Sequence, residues 1–84
     1  MYSISITSRA ERDLKKLDRQ IKNRVTKSIL ELANDPRPAG CRKVQSEDGV
    51  WRIRVGDWRV GYVVDDNANE IVIIRIAHRS EFYS

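Results

Sequence analysis

The chain has 84 residues, with 16 Lys plus Arg against 12 Asp plus Glu and a net charge of +4. That length suits a single domain over 1–84, and one cysteine (Cys41) with one histidine (His78) excludes an internal disulfide and a Cys/His metal cluster. No apolar run approaches the roughly 18 residues of a membrane span and the opening Met-Tyr-Ser-Ile-Ser lacks a signal-peptide pattern, so the expectation is a soluble, cytoplasmic domain with no metal or other cofactor.

In chain order, residues 2–6 alternate apolar and polar, the period of a half-buried strand. Ser8-Arg9-Ala10-Glu11 has the spacing of a capping box, in which Ser and Glu satisfy free backbone N–H groups at a helix start. Ala10, Leu14 and Leu17 then share one helical face. Asp18 is placed to cap a second helix whose apolar positions are Ile21, Val25, Ile29, Leu32 and Ala33. Residues 34–40, with Pro36 and Pro38, end it, because proline disfavours a helical residue before it. After Gly40 the period becomes two. Residues 43–45 read as a short strand, 50–55 and 58–64 as a hairpin closed by Gly56-Asp57, and 65–69 as a turn. Residues 71–76, almost wholly apolar, suit a central strand covered on both faces. The predicted fold is α+β: a single antiparallel β-sheet with two N-terminal α-helices packed on one face.

Of the cations, 11 are Arg and 5 are Lys. Arginine's planar fork of five donors suits phosphate or carboxylate, so the composition leans toward an anionic partner. The two-residue loop sets the hairpin register. Val55 opposes Trp58, Ile53 opposes Val60 and Trp51 opposes Tyr62, all on one face suited to the helices. The other face then carries Arg52, Arg54, Arg59 and Gly61, with Arg54 opposite Arg59 and Arg52 opposite Gly61. Like charges directly across a strand pair destabilise it, and an anion bridging them relieves this. Gly61 leaves a depression where a ligand could approach the backbone. If Val72, Ile74 and Ile76 point to the helices, Arg75 and Arg79 join the arginine face. The plainer reading is a solvated, solubilising sheet face or a partner-docking surface.

His78-Arg79-Ser80-Glu81-Phe82-Tyr83-Ser84 adds an acid or base, a cation and a phenol after the last strand. With the arginine face, these suggest phosphodiester chemistry without metal. Arginines neutralise the scissile phosphate and stabilise charge growing on it. Tyr83, its pKa lowered by neighbouring cations, is suited to removing a 2′-hydroxyl proton. His78 is an acid–base candidate or simply holds the C-terminal turn. Trp51, Trp58 and Tyr62 are assigned to the core, and Cys41 to a structural thiol.

These residues carry a family resemblance over nearly the full chain. Leu14-Lys15-Lys16-Leu17, Asn34-Asp35-Pro36-Arg37-Pro38, the stretch from Gly49 to Tyr62 and the ending Ala77-His78-Arg79-Ser80-Glu81-Phe82-Tyr83 resemble the RelE branch of the RelE/ParE toxin superfamily. The resemblance implies a RelE-like fold, a toxin of a type II toxin–antitoxin system, and an endoribonuclease (mRNA interferase) that inhibits translation. Its implied partners are a cognate antitoxin, the ribosome, and mRNA in the ribosomal A site. It also implies Arg59 as the phosphate-binding arginine and Tyr83 as the C-terminal catalytic tyrosine, with His78 and Arg79 matching a common His-Arg pair. Arg52 and Arg54 stand where the best-known RelE member has lysines, and Ala77 where it has a further catalytic arginine. Arg52, Arg54, Arg59, His78, Arg79 and Tyr83 form the expected catalytic set. Arg42, Lys43, Arg52, Arg54, Arg59 and Arg75 form the expected RNA-contacting set. With only Ser84 following it, Tyr83 is expected to stay unplaced until RNA or the ribosome binds. Two alternatives remain: a ParE-like, non-enzymatic DNA gyrase inhibitor, and an inactive antitoxin-binding module.

Overall fold

The computed structural model describes residues 1–83. Its elements are β1 (Ser3–Ile6), α1 (Ser8–Lys15), α2 (Arg19–Glu31), β2 (Arg42–Lys43), β3 (Trp51–Val55), β4 (Trp58–Asp65) and β5 (Glu70–His78). The helix starts follow from local chemistry. Asp18, in an extended conformation, accepts a hydrogen bond from the Ile21 N–H at 3.0 Å and caps α2 as expected. The cap of α1 is Thr7, one residue earlier than the capping-box spacing suggests. Strand geometry persists through Thr7 (φ −68°, ψ 160°), so its hydroxyl, rather than that of Ser8, reaches the Ala10 N–H at 3.2 Å.

The strands form one sheet in the order β1-β5-β4-β3-β2. Every pairing is antiparallel except the first: β1 runs parallel to β5, with Ile4 beside Ile71 and Ile6 beside Ile73. The expectation of an antiparallel sheet is corrected at that edge, because the two helices carry the chain across before it returns alongside β1. Where β1 ends, α1 and its cap continue the pairing of β5. The Thr7 N–H donates to the Ile73 carbonyl at 3.0 Å, the Thr7 hydroxyl donates to the Ile74 carbonyl at 3.3 Å, and Asp13 Oδ2 accepts from the Ile76 N–H at 3.0 Å.

Both helices lie on one face. The main core joins Ala10, Leu17, Val25, Ile29 and Leu32 to Ile53, Val55, Val60, Tyr62, Ile71, Ile73 and Ile76 of the sheet, with Trp51 and Trp58 partly buried against it. Tyr62 is fully buried, its hydroxyl donates to the Pro36 carbonyl at 2.7 Å, and burial pushes its phenol pKa up. The assignment of Val72 and Ile74 to the helix side is overturned. A bulge at Gly61/Tyr62 pairs Gly61 with Arg75 but Tyr62 with Ile73, leaving Ile74 over and shifting the alternation by one. Ile71 and Ile73 face the helices, while Ile74 turns to the opposite side. There it meets a second, smaller core of Val44, Val50 and Phe82, with Val63 and Ala77.

Two ion pairs tie the loops down. Arg75 grips Glu47 of the β2–β3 loop through both terminal nitrogens, at 2.9 and 2.5 Å. Asp66 takes a 2.8 Å bond from Arg37 and a 2.6 Å bond from the Tyr2 hydroxyl, joining the proline loop, the chain start and the β4–β5 turn. The Arg75 guanidinium holds the Glu47 carboxyl below its ordinary pKa, and Arg37 with Tyr2 does the same for Asp66. A carboxylate held low in the fold contributes its full stabilisation above its unfolded value of about 4, and loses it as pH falls through the lowered value. The melting temperature should therefore drop as pH falls below about 4. Glu47→Gln, followed by the same thermal melts, should start lower and lose less on acidification.

Candidate nucleic-acid interface

The observed hairpin register is the one that a two-residue loop dictates: Trp51 beside Tyr62, Arg52 beside Gly61, Ile53 beside Val60, Arg54 beside Arg59 and Val55 beside Trp58. Gly56 takes φ +61°, as the first loop position of a II′ hairpin requires. The face away from the helices therefore gathers Arg52, Arg54 and Arg59. Arg59 is only 9% exposed, and its Nη1 donates to the Gly56 and Trp58 carbonyls at 3.2 and 3.1 Å. Burial first, then the Arg54 and Arg52 charges, lower its pKa from the ordinary arginine value, with Arg79 adding to the effect and Tyr83 opposing it. It stays protonated regardless.

Arg52 links this cluster to the chain end. Its Nε donates to the Tyr83 hydroxyl at 3.0 Å, and its Nη1 is buried with no hydrogen-bond partner among the described residues. Leaving such a donor unsatisfied costs about 1–3 kcal/mol, which an anionic oxygen in reach would offset. Tyr83 is 59% exposed, yet it has a defined place, its ring packed edge-on against Phe82 at 5.0 Å. The expectation of an unplaced tyrosine is thus corrected. Beside it, Arg42, Gln45, Ser46, Arg52 and Tyr83 border a groove of about 350 Å³ to which Lys43 also contributes. A larger hollow of about 490 Å³ lies between α2, the proline loop and β3, and shares only Arg54 with the cluster.

The remaining expected residues divide. Arg42 opposes Arg52 and so belongs to the arginine face. Arg79 is exposed, its backbone N–H bonded to the Asp57 carbonyl at 2.7 Å and its side chain 3.7 Å from the Asp57 carboxylate. Lys43 opposes Trp51, and its ammonium sits 5.4 Å from that ring's centroid, on the helix side of the sheet. His78 pairs with Trp58 and packs edge-on against it at 5.5 Å, also on the helix side. Its Nδ1 accepts from the Ser80 N–H at 3.2 Å, the role of a residue that holds the C-terminal turn. Arg75 reaches the arginine face but is 8% exposed and committed to Glu47. The depression over Gly61 is not open either: the Phe82 ring fills it. Sequence reasoning passed over Phe82 and Glu47. A glycine inside a strand signals close approach, without saying that the approaching group is a side chain of the same protein.

Arg52, Arg54, Arg59 and Tyr83, with Arg79 and Arg42 at the margins, thus form a cationic surface with one phenol held by a guanidinium. Such a surface can bind a phosphodiester, spread its negative charge over several N–H donors, and present a phenolic oxygen beside it. A family model described as the ParE toxin of type II toxin-antitoxin system, parDE, matches residues 4–83. The chain belongs to the RelE/ParE toxin superfamily. Within the superfamily it is similar to toxin RelE of Mycobacterium tuberculosis, at 35% identity over 98% of this chain and 86% of that protein. Toxin RelG of the same organism is 31% identical, over 98% and 95%. Among solved structures, the toxin-antitoxin complex RelBE2 from Mycobacterium tuberculosis matches with a TM-score of 0.81 at 30% identity, covering 93% of this chain and 98% of that one. The archaeal RelE-RelB complex from Pyrococcus horikoshii gives a TM-score of 0.82 at 24% identity, over 95% and 97%, a likeness of fold. The chain is therefore a RelE-type toxin with two helices on a five-stranded, mostly antiparallel sheet.

For a toxin surface built this way, anion binding should be visible in stability alone. Inorganic phosphate, at constant ionic strength against chloride, should raise the melting temperature by a few degrees once it exceeds its Kd several-fold. Arg54→Gln should melt at or above the wild type without phosphate, because it removes the charge opposite Arg59, and should lose most of the phosphate response.

Proposed function

We propose that this toxin is an endoribonuclease that cuts mRNA in the ribosomal A site and so inhibits translation. The observation that carries the reading is the convergence of a phenol on buried and half-buried arginines: Tyr83 on Arg52, within electrostatic reach of Arg59. Arg59, supported by Arg52 and Arg54, binds the scissile phosphate. The Tyr83 oxygen takes the proton from the 2′-hydroxyl, and the Arg52 N–H it already accepts stabilises the negative charge it carries while doing so. The 2′-oxygen then attacks phosphorus, the P–O5′ bond breaks, and the 5′-oxygen takes up a proton from water while Tyr83 later returns its own to solvent. The products are a 2′,3′-cyclic phosphate, opening to a 3′ phosphate, and a 5′-hydroxyl end. Arginines supply the positive charge that a metal would otherwise bring, and their field disfavours a cation at the same spot. His78 holds the C-terminal turn, and Arg79, at the edge of the cationic surface beside Asp57, assists in phosphate binding.

A surface with one shallow groove binds RNA weakly and in a salt-dependent way, so placement of the strand by the ribosome supplies orientation that the domain lacks. The partner we assign for silencing is a cognate antitoxin covering the arginine face, in keeping with the relatives solved as toxin-antitoxin complexes. Because the matching family model is described as a ParE toxin, a gyrase-directed, non-enzymatic toxin is the second reading.

Expression without antitoxin separates them. Wild type should give translation-dependent mRNA cuts, mapped by primer extension, and Arg59→Ala or Tyr83→Phe should reduce them by at least about 100-fold. Intact mRNA with gyrase-linked DNA breaks would reverse the assignment in favour of the second reading.

A further inference from the structure

We propose that Phe82 is a positioning residue: by plugging the gap over Gly61 it holds Tyr83 against Arg52. The inference rests on the ribonuclease reading above and adds to it the device that places the phenol.

A Cβ on Gly61 would lie 3.1 Å from Cζ and 3.3 Å from Cε1 of Phe82, and 3.4 Å from Cγ of Arg75. The space left by the missing side chain is therefore the seat of the ring, which is only 2% exposed. The Arg75 guanidinium stacks over that ring, 4.3 Å from its centroid, and is itself locked by the two bonds to Glu47. Val44, Val50 and Ile74 complete the seat. The Phe82 N–H donates to the His78 carbonyl at 3.0 Å, so backbone and side chain are both anchored. Tyr83 has almost none of this. It is mostly exposed, and among the described residues its one side-chain hydrogen bond is that from Arg52. Its location is inherited from the neighbour one peptide bond away. Phe82 is not among the residues that border the groove beside Tyr83, and the route proposed for its effect on cleavage is the tyrosine.

The test is ribosome-dependent cleavage at saturating ribosome concentration, read with amide hydrogen exchange of the same variants. Phe82→Leu should slow cleavage about tenfold and Phe82→Ala about 100-fold, with KM little changed. Protection should fall at the Glu81 and Phe82 amides and be kept across β3 and β4, which separates loss of placement from loss of fold. In a Tyr83→Phe background neither substitution should slow cleavage further, because the group being positioned is already gone. Gly61→Ala, which forces the ring to give by a few tenths of an ångström, should also slow cleavage, and combining it with Phe82→Leu should recover part of the rate. Wild-type cleavage by Phe82→Leu, or an equal slowing by it in the Tyr83→Phe background, would overturn the proposal. Wild type inert on translating ribosomes, with protection at Phe82 intact, would instead sink the ribonuclease reading on which it rests.

Discussion

A two-residue loop at Gly56-Asp57 leaves the β3–β4 hairpin one register, and the arginine surface depends on it. A slip of one residue would exchange the faces of a strand, sending Arg52 and Arg54 into the helix-covered core and Ile53 and Val55 into water. The buried pairs Ile53–Val60 and Trp51–Tyr62 hold the register from one side. Gly56 holds it from the end, at a positive φ that other residues adopt with strain. The arginine cluster is thus the obligatory reverse of a well-packed face. Its members need no long-range signal to find one another.

That arrangement opposes stability. Arg54 beside Arg59, and Arg42 beside Arg52, set like charges across strand pairs, and Arg59 is further penalised by burial. The compensation sits on the same face. Val44, Val50, Ile74 and Phe82 bury apolar surface next to the cations, and Glu47 neutralises Arg75, which is shielded from solvent. The face is divided into a closed half, where Arg75 is paired with Glu47, and an open half, where Arg42, Arg52, Arg54 and Arg59 have no carboxylate partner among the described residues. Functional surfaces commonly carry such a cost because stabilising them would remove what they bind with.

Legibility in the sequence followed the range of the interaction. The Asp18 cap, the hairpin register and the arginine cluster depend on residues within about ten positions of one another, and local periodicity and turn chemistry reach that far. The two helices on one face and the interior position of β5 were readable for the same reason. What failed depended on contacts between distant segments. The parallel pairing of β1 with β5 joins residues 3–6 to 70–73. The seat of Phe82 on Gly61 joins the chain end to mid-sheet. His78 was grouped with the arginines by proximity in sequence, although strand alternation sends it to the helix side with Trp58. Lys43 alternates the same way, pairing with Trp51 while still contributing to the groove beside Tyr83.

The bulge in β5 is the least legible feature and does the most to join the core to the site. With Ile71 and Ile73 facing the helices, unbroken alternation would carry Arg75 and Ala77 into that core and turn Ile76 out. The extra residue at Ile74 resets the alternation. Ile76 stays inside, Ala77 comes to lie beside Arg59, and Arg75 emerges next to Gly61. Ile74, sharing Arg75's side, forms part of the floor under Phe82. Bulges near functional sites commonly re-aim side chains in this way. Here one extra residue gives a buried strand two uses, filling the helix-side core along its length and building the seat for the C-terminal turn at its end. An exposed tyrosine on that turn is then fixed relative to the arginines by the sheet itself.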